Sequence, residues 1–334
     1  MKLLVTGGAG FMGSNFIRYI LNKYPDYQVI NLDKLTYSGN LDNLKNIEGN
    51  KNYSFVKGDI TDQEIVDKLA KDSDVIINYA AETHVDRSIL DPSSFVRTDV
   101  LGTYTLLEAS KKFNHSLFIQ ISTDEVFGSI ESGKFKEGSP FAPNSPYAAS
   151  KGGADLLCRS YITTYNLPII VTHSCNFFGP YHYPEKFIPL AIVNTLQNKK
   201  VPLYGDGLNV REWIYTEDHC NAIDILLHRG KKGEVYNISP EEEWRNVDIL
   251  KLILKIIGKN ESLIMYVKDR PGHDRRYALD SSKIRRDFGW KPNYKFEDAL
   301  LETIDWFKNN EWWWKKIIER DEYKNYYKKW YGSL

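Results

Sequence analysis

Cysteine is scarce in this chain: Cys158, Cys175 and Cys220 are the only three in 334 residues, far apart and without a Cys-x-x-Cys pair. That spacing argues against a disulfide framework and a thiolate zinc site, so no metal is expected. It fits the reducing conditions of a cytoplasmic setting. Charge of one sign is lacking too. Lys plus Arg number 44 and Asp plus Glu 44, a formal net charge of zero, which leaves no basic excess for a nucleic-acid partner. Long apolar runs are also missing. No window approaches the ~18 unbroken apolar residues of a membrane span, and the apolar stretch ahead of Gly7-Gly8 is too short for a signal peptide. There is no internal repeat or low-complexity linker. At this length two lobes are expected rather than one core.

What is present begins at the first strand. Lys2–Thr6 reads as a short buried strand, and Gly7-Gly8-Ala9-Gly10-Phe11-Met12-Gly13 turns it into a helix. Glycines at this spacing permit a tight turn and let backbone N–H groups approach a pyrophosphate at the helix N-terminus. Many strand-to-helix turns need glycine for conformation alone, so three further features carry weight. A second strand, Tyr27–Leu32, ends in Asp33, where a carboxylate binds adenosine ribose hydroxyls and disfavours a 2′-phosphate. This points to NAD rather than NADP. A third strand, Tyr53–Lys57, is followed by Asp59-Ile60 to border an adenine pocket. A fourth, Asp74–Asn78, runs into Tyr79-Ala80-Ala81, small enough for close cofactor approach. Alternating strands and helices predict a Rossmann-like, doubly wound parallel α/β sheet with a smaller α/β substrate-binding lobe.

The chemistry is concentrated in residues 122–151. Ser122-Thr123-Asp124-Glu125 follows the apolar run Leu117–Ile121, and Tyr147-Ala148-Ala149-Ser150-Lys151 lies downstream. A Tyr-x-x-x-Lys pair puts phenol and ammonium on one helix face. The cation is expected to lower the phenol pKa and make Tyr147 a base. In isolation Asp124-Glu125 is equally a helix start favoured by the dipole. Beside Tyr147 and Lys151 it reads as a second acid/base couple, which oxidation of an alcohol alone would not need.

Together these motifs resemble the extended short-chain dehydrogenase/reductase family and, within it, the nucleotide-sugar 4,6-dehydratases. The resemblance is carried in family order by Thr6–Gly13, Leu35–Asn40, Ala80–Ser88, Ser122–Gly128, Ser145–Lys151, Gly179–Pro189, Asn209–Tyr215 and Asp269–Tyr277. Thr123-Asp124-Glu125 separates this branch from the sugar 4-epimerases, and intact Thr123, Tyr147 and Lys151 argue against a non-catalytic NAD-binding protein.

The resemblance implies a lyase acting on a nucleotide-activated hexose, dTDP-glucose first, with UDP-glucose or UDP-N-acetylglucosamine as alternatives. Tyr147 would take the proton of the sugar 4-hydroxyl as hydride leaves for NAD. Glu125 would remove the C5 proton, Asp124 would protonate the departing 6-hydroxyl, Thr123 would hold the 4-oxygen, and the hydride would return to C6. Two close carboxyls can split their pKa values in the way this requires. Cofactor contacts are expected from Gly7, Gly10, Phe11, Met12, Gly13, Asp33, Lys34, Thr36, Asp59, Ile60, Ala80, Ala81, Tyr147 and Lys151. Substrate contacts are expected from His84, Thr123, Asn176, Lys186, Arg211, Arg270 and His273, arginine being suited to phosphate. His84 is not expected to be catalytic.

The implied organisation is a dinucleotide lobe of residues 1–172 plus about 212–229, and a nucleotide-sugar lobe of about 173–211 plus 230–334. The assembly expected is a homodimer through helices near 101–113 and 147–165. The chain departs from the family pattern at Asp99 (usually Asn), Phe127 (usually Tyr), His173 (often Arg or Asn) and Phe177 (usually Asn). A buried carboxylate at 99 would need a partner. The aromatic segment Glu311–Tyr331 is expected to be a helix packing its rings on the domain or a neighbour.

Overall fold

The computed structural model describes residues 1–332; the last two residues of the expected second lobe, 333–334, lie outside the described residues. Twelve strands are present among them: β1 (Lys2–Thr6), β2 (Gln28–Asp33), β3 (Tyr53–Lys57), β4 (Val75–Asn78), β5 (Leu117–Thr123), β6 (Ile169–Ser174), β7 (Asn176–Phe178), β8 (Val201–Tyr204), β9 (Val210–Tyr215), β10 (Val235–Ile238), β11 (Glu243–Arg245) and β12 (Ile264–Val267).

Seven strands form one sheet in the order β10-β6-β5-β4-β1-β2-β3, and every pairing in it is parallel. The central strands are apolar on both faces, as a sheet covered on both sides requires. Leu3 and Val5 pack with Phe16, Ile17 and Ile20 of helix Phe11–Lys23 and with Ile223 and Leu226 of helix Thr216–Arg229. Leu4, one residue out of phase, packs on the opposite side with Leu106, Leu107, Phe118 and Tyr161. Strand order reverses between β1 and β4, which opens a crevice at the carboxyl ends of the strands. All the expected acid/base residues lie at or beyond those ends.

The second lobe carries the small sheets β11-β9-β7 and β12-β8. Its core collects Ile188, Ile192, Leu250, Ile253, Leu300, Phe307, Trp313 and Trp314. The aromatic tail forms two helices, Glu311–Ile318 and Asp321–Tyr331, with Trp313 and Trp314 fully buried.

Two expected boundaries are corrected. Strand β10 had been allotted to the second lobe, but it pairs with β6 as an edge of the large sheet. The stretch from 212 was expected to return to the dinucleotide lobe, whereas β9 pairs with β7 and β11 in the small sheet. The return begins only with helix Thr216–Arg229. Pairing partners remote in sequence decided both cases. No helix among the described residues is long and apolar enough to cross a membrane.

Candidate active site

One cavity of about 350 Å³ follows the crevice from the glycine turn to Tyr331, and every residue expected at the site lines it. The dinucleotide end is made of bare backbone. Gly7 has φ +68°, and a Cβ there would lie 2.6 Å from the backbone N of Ala80; one on Gly13 would lie 2.4 Å from Gly7 O. A Cβ would therefore fill the cradle, and the open N-terminus of helix Phe11–Lys23 faces it. Asp33 is pinned at the end of β2 by N–H donors from Ala9 (2.9 Å) and Leu35 (2.8 Å). Burial raises its pKa, and the two backbone donors oppose the rise. Lys34 pairs with Asp59 at 2.7 Å beside Ile60. The donors, the paired acids and the bare turn fit a dinucleotide.

The acid/base group sits where β5 ends. Thr123 caps the short 3-10 turn Asp124–Phe127: its Oγ1 accepts from Glu125 N and donates to Asp124 Oδ1, each at 3.2 Å. Asp124 is 2 % exposed, and its Oδ2 has no protein partner. Burial, then the nearby charges of Glu125 and Glu212, push the Asp124 carboxyl well above its ordinary pKa. Glu125 is also raised by burial, but Arg270, Arg211 and Lys186 pull it back. Both carboxyls are thus raised, Asp124 the further, which makes Asp124 the better acid of the pair and Glu125 the better base.

Helix Pro146–Tyr165 is capped by Ser145, whose Oγ accepts from Ala148 N at 3.1 Å. Tyr147 and Lys151 lie on its buried side. The expected lowering of the Tyr147 pKa is not what the protein groups produce. Burial, then Glu125 and Asp99, raise it well above 10, and the Thr123 hydroxyl is the opposing influence. Lys151 gives its ammonium to the carbonyl of Ile121 at 2.7 Å.

Asp99 lies beneath this helix in a π-helical segment, Val96–Gly102, and is 1 % exposed. Its Oδ1 accepts from Glu82 N at 3.0 Å, and its Oδ2 is 2.6 Å from Ser150 Oγ. Ser150 Oγ is also 2.8 Å from the carbonyl of Tyr147. The Ser150 hydroxyl thus faces two acceptors, the Asp99 carboxyl and the Tyr147 carbonyl. Burial raises the carboxyl to about 6, with Lys151 and Ser150 opposing. The partners of the carboxylate at 99 are therefore the Lys151 charge and two neutral donors, Glu82 N and Ser150 Oγ.

The substrate end is built from side chains. Asn176 presents an Oδ1 without a protein partner. Lys186 donates to Thr83 O, and Arg211 donates to the carbonyls of Val210 (2.7 Å) and Asp274 (2.8 Å) while stacking over Tyr277. His273 Nδ1 lies 2.6 Å from Asp269 Oδ1, and His84 Nε2 lies 3.4 Å from the Tyr326 hydroxyl. Arg275, from the same cation-rich segment, instead pairs with Asp206 away from the cavity. The other departures are absorbed in packing. Phe127 stacks with Phe135 and meets His173 edge-on, His173 pairs with Asp155 at 3.2 Å, and Phe177 packs on His219.

Tyr37, Glu82, His182, Glu185, Tyr204 and Tyr331 also line the cavity without being expected there, and so does Asp86, whose place just after the fourth strand does put it near the sugar pocket. His182 stacks on Phe11 at 4.1 Å. It stands inside the Gly179–Pro189 motif, which was the available signal. Tyr204 and Tyr331 carried none.

A family model described as GDP-mannose 4,6 dehydratase matches residues 4–303. The chain is 50% identical over 311 residues to the low-salt glycan biosynthesis protein Agl12 of Haloferax volcanii, covering 93% of this chain and 100% of that one. It is 48% identical to a dTDP-glucose 4,6-dehydratase of Streptomyces niveus, covering 96% and 97%. The solved structure of a dTDP-glucose 4,6-dehydratase from Bacillus anthracis in complex with NAD superposes with a TM-score of 0.90. There the identity is 50%, over 95% of this chain and 99% of that one.

Proposed function

The chain belongs to the GDP-mannose 4,6 dehydratase family, and from that premise we propose that it removes one water from dTDP-glucose, giving dTDP-4-keto-6-deoxyglucose with NAD retained. The observation that carries this reading is the shared cavity: a split carboxyl pair and a Tyr-Lys pair open onto the same dinucleotide cradle. A simple dehydrogenase needs only the second pair.

The glycine turn would hold the dinucleotide pyrophosphate, Asp33 the adenosine ribose, and Tyr147 with Lys151 the nicotinamide end. NAD, held there, would supply the acceptor for the C4 hydride and the donor for its return at C6, so the net redox change would be zero. Tyr147, whose phenol the protein alone keeps protonated, would take the proton of the 4-hydroxyl once the positive nicotinamide charge beside it favours the phenolate, and Thr123 would hydrogen-bond the 4-oxygen. Glu125, whose raised pKa three cations hold below that of Asp124, removes the C5 proton made acidic by the 4-ketone. Asp124 gives its proton to the departing 6-hydroxyl, and Glu125 returns its proton to C5. Over the cycle Tyr147 gains one proton and Asp124 loses one, so a single transfer between them restores the site. Asn176, Lys186, Arg211, Arg270, His273 and His84 would hold the nucleotide diphosphate and sugar.

We extend the proposal to a cytoplasmic homodimer. Three free, buried cysteines support a reducing setting. The dimer is supported by exposed apolar side chains, Leu101, Tyr104, Leu156 and Tyr165, on the helical segments where pairing is expected.

The test is to incubate purified protein with dTDP-glucose, UDP-glucose or UDP-N-acetylglucosamine, with no added NAD, and follow loss of one water by mass spectrometry. Loss from dTDP-glucose is expected. Replacing Asp124→Asn and Glu125→Gln together is expected to leave C4 oxidation, read as nicotinamide absorbance, while stopping water loss. Dehydration by the double variant would overturn the assignment of the acid and base.

A further inference from the structure

Asp86 lies in the first turn of the short helix Val85–Leu90 that follows β4, is 1 % exposed, and is reached by three hydrogen-bond donors from three distant segments. Arg270 Nη1, in the loop after β12, donates to Oδ1 at 2.8 Å. The Tyr204 hydroxyl, at the end of β8, donates to Oδ2 at 3.0 Å. The Tyr326 hydroxyl, on the C-terminal helix Asp321–Tyr331, donates to the same oxygen at 3.2 Å. A buried carboxylate with this set of donors fixes all three in one geometry.

The arrangement has a direction. Arg270 lines the cavity, yet its buried Nε has no protein partner, and among the described residues only Nη1 of the guanidinium is bonded to a side chain. Arg211 and Lys186, the other cations at this end, already donate to backbone carbonyls. Arg270 therefore keeps a free donor edge where an anion would lie. A guanidinium gripped along one side presents the other as a fixed fork, matched to two oxygens of a phosphate.

We propose that Asp86 is a positioning residue which holds Arg270 with its free Nε–Nη2 edge toward the substrate diphosphate, and that Tyr326 makes the C-terminal helix part of that device. This rests on the reading of the cavity as a nucleotide-sugar site. Coupling follows in both directions: a diphosphate on Arg270 favours the docked helix, and a docked helix favours the diphosphate. No motif read from the sequence reaches this helix, so its part in the substrate site is a property of the fold.

A mutant cycle tests the proposal. Asp86→Asn is expected to raise KM for dTDP-glucose about tenfold, the scale of one charge-assisted hydrogen bond, with a much smaller change in kcat and no loss of retained NAD. Tyr326→Phe is expected to act in the same sense by about threefold, since it removes one neutral donor. In an Arg270→Gln background both effects should nearly vanish, because both act through Arg270. Full additivity, or a fall in kcat at unchanged KM, overturns the proposal. Should Asp86→Asn fail to fold, Tyr326→Phe carries the test by hydrogen exchange. Thymidine diphosphate should slow exchange across 321–331 in the native chain and not in Tyr326→Phe; no slowing in the native chain overturns it. Running the cycle on affinity for thymidine diphosphate separates the two readings, because failed turnover with an intact cycle condemns the reaction and leaves Asp86 in its role.

Discussion

At the dinucleotide end of the cavity the chain offers backbone, and at the substrate end it offers side chains. The first is cut from short stretches near the N-terminus, where glycines keep the surface bare and Asp33 is pinned by two amides. The second is gathered from the short helix after β4, the segment around Lys186, β8, β9, the loop at Arg270 and the C-terminal helix. The two constructions fail differently. A cradle made of backbone has no slack, because the atoms in the way cannot rotate aside. A site made of tethered side chains loses affinity one contact at a time.

Gly7→Ala should give the largest effect. Its Cβ would lie 2.6 Å from Ala80 N and 2.7 Å from Ala80 Cα, at a φ of +68° that side chains resist. The purified variant is expected to carry no bound NAD, read by absorbance and mass spectrometry after denaturation. Retention of the dinucleotide would break the contrast between the two ends.

Asp99→Asn sharpens the contrast at the seam where the ends meet. The Asp99 carboxyl moves from 3.8 to about 6 on folding. Below pH 3.8 both states hold the proton, and ionisation costs nothing. Between 3.8 and about 6 the unfolded chain releases it while the folded chain keeps it, so stability falls as pH rises; above 6 the full cost stands. At about 1.4 kcal/mol per pH unit that cost is on the order of 3 kcal/mol. An asparagine keeps the Glu82 bond through its Oδ1 and turns its amide N–H to Ser150 Oγ without a charge, so the variant should gain stability over the native chain at pH 8 and much less at pH 4.5. Denaturant melts at the two values decide it, and an equal gain at both would remove ionisation as the cause.

The smallest effect is expected from Ser145→Ala. It removes the N-cap of the helix that carries Tyr147 and Lys151. A cost of about 1 kcal/mol in the same melts, with NAD retained, is the expected outcome. A cost near zero would mean that packing alone fixes the start of that helix.

The same contrast explains what could be seen in advance. The glycine turn, Asp33, Ser122–Glu125 and Tyr147–Lys151 were legible because each is one local stretch whose spacing is its geometry. The strand β10 was not, since its partner β6 lies about sixty residues away and nothing local states the pairing. Lys151 reaching Ile121 rather than the phenol is a matter of how β5 meets the helix. The contacts that join Asp86 to Tyr204 and Tyr326 were hidden for the same reason: only the fold brings the three together. Asp99 was visible as an anomaly, but Ser150, the neighbour that gives it sense, belongs to another helix.

Trp313 donates its indole N–H to Asn43 Oδ1 at 2.8 Å, and Asn43 in turn donates to the carbonyl of Ala9, within the glycine turn, at 2.9 Å. The first of these bonds spans 270 residues of chain. A polypeptide leaving the ribosome has therefore made every glycine of its cofactor turn long before it has made the residue that braces it. The turn is thus finished only after Trp313 has emerged, and the dinucleotide meets its braced berth no sooner than that.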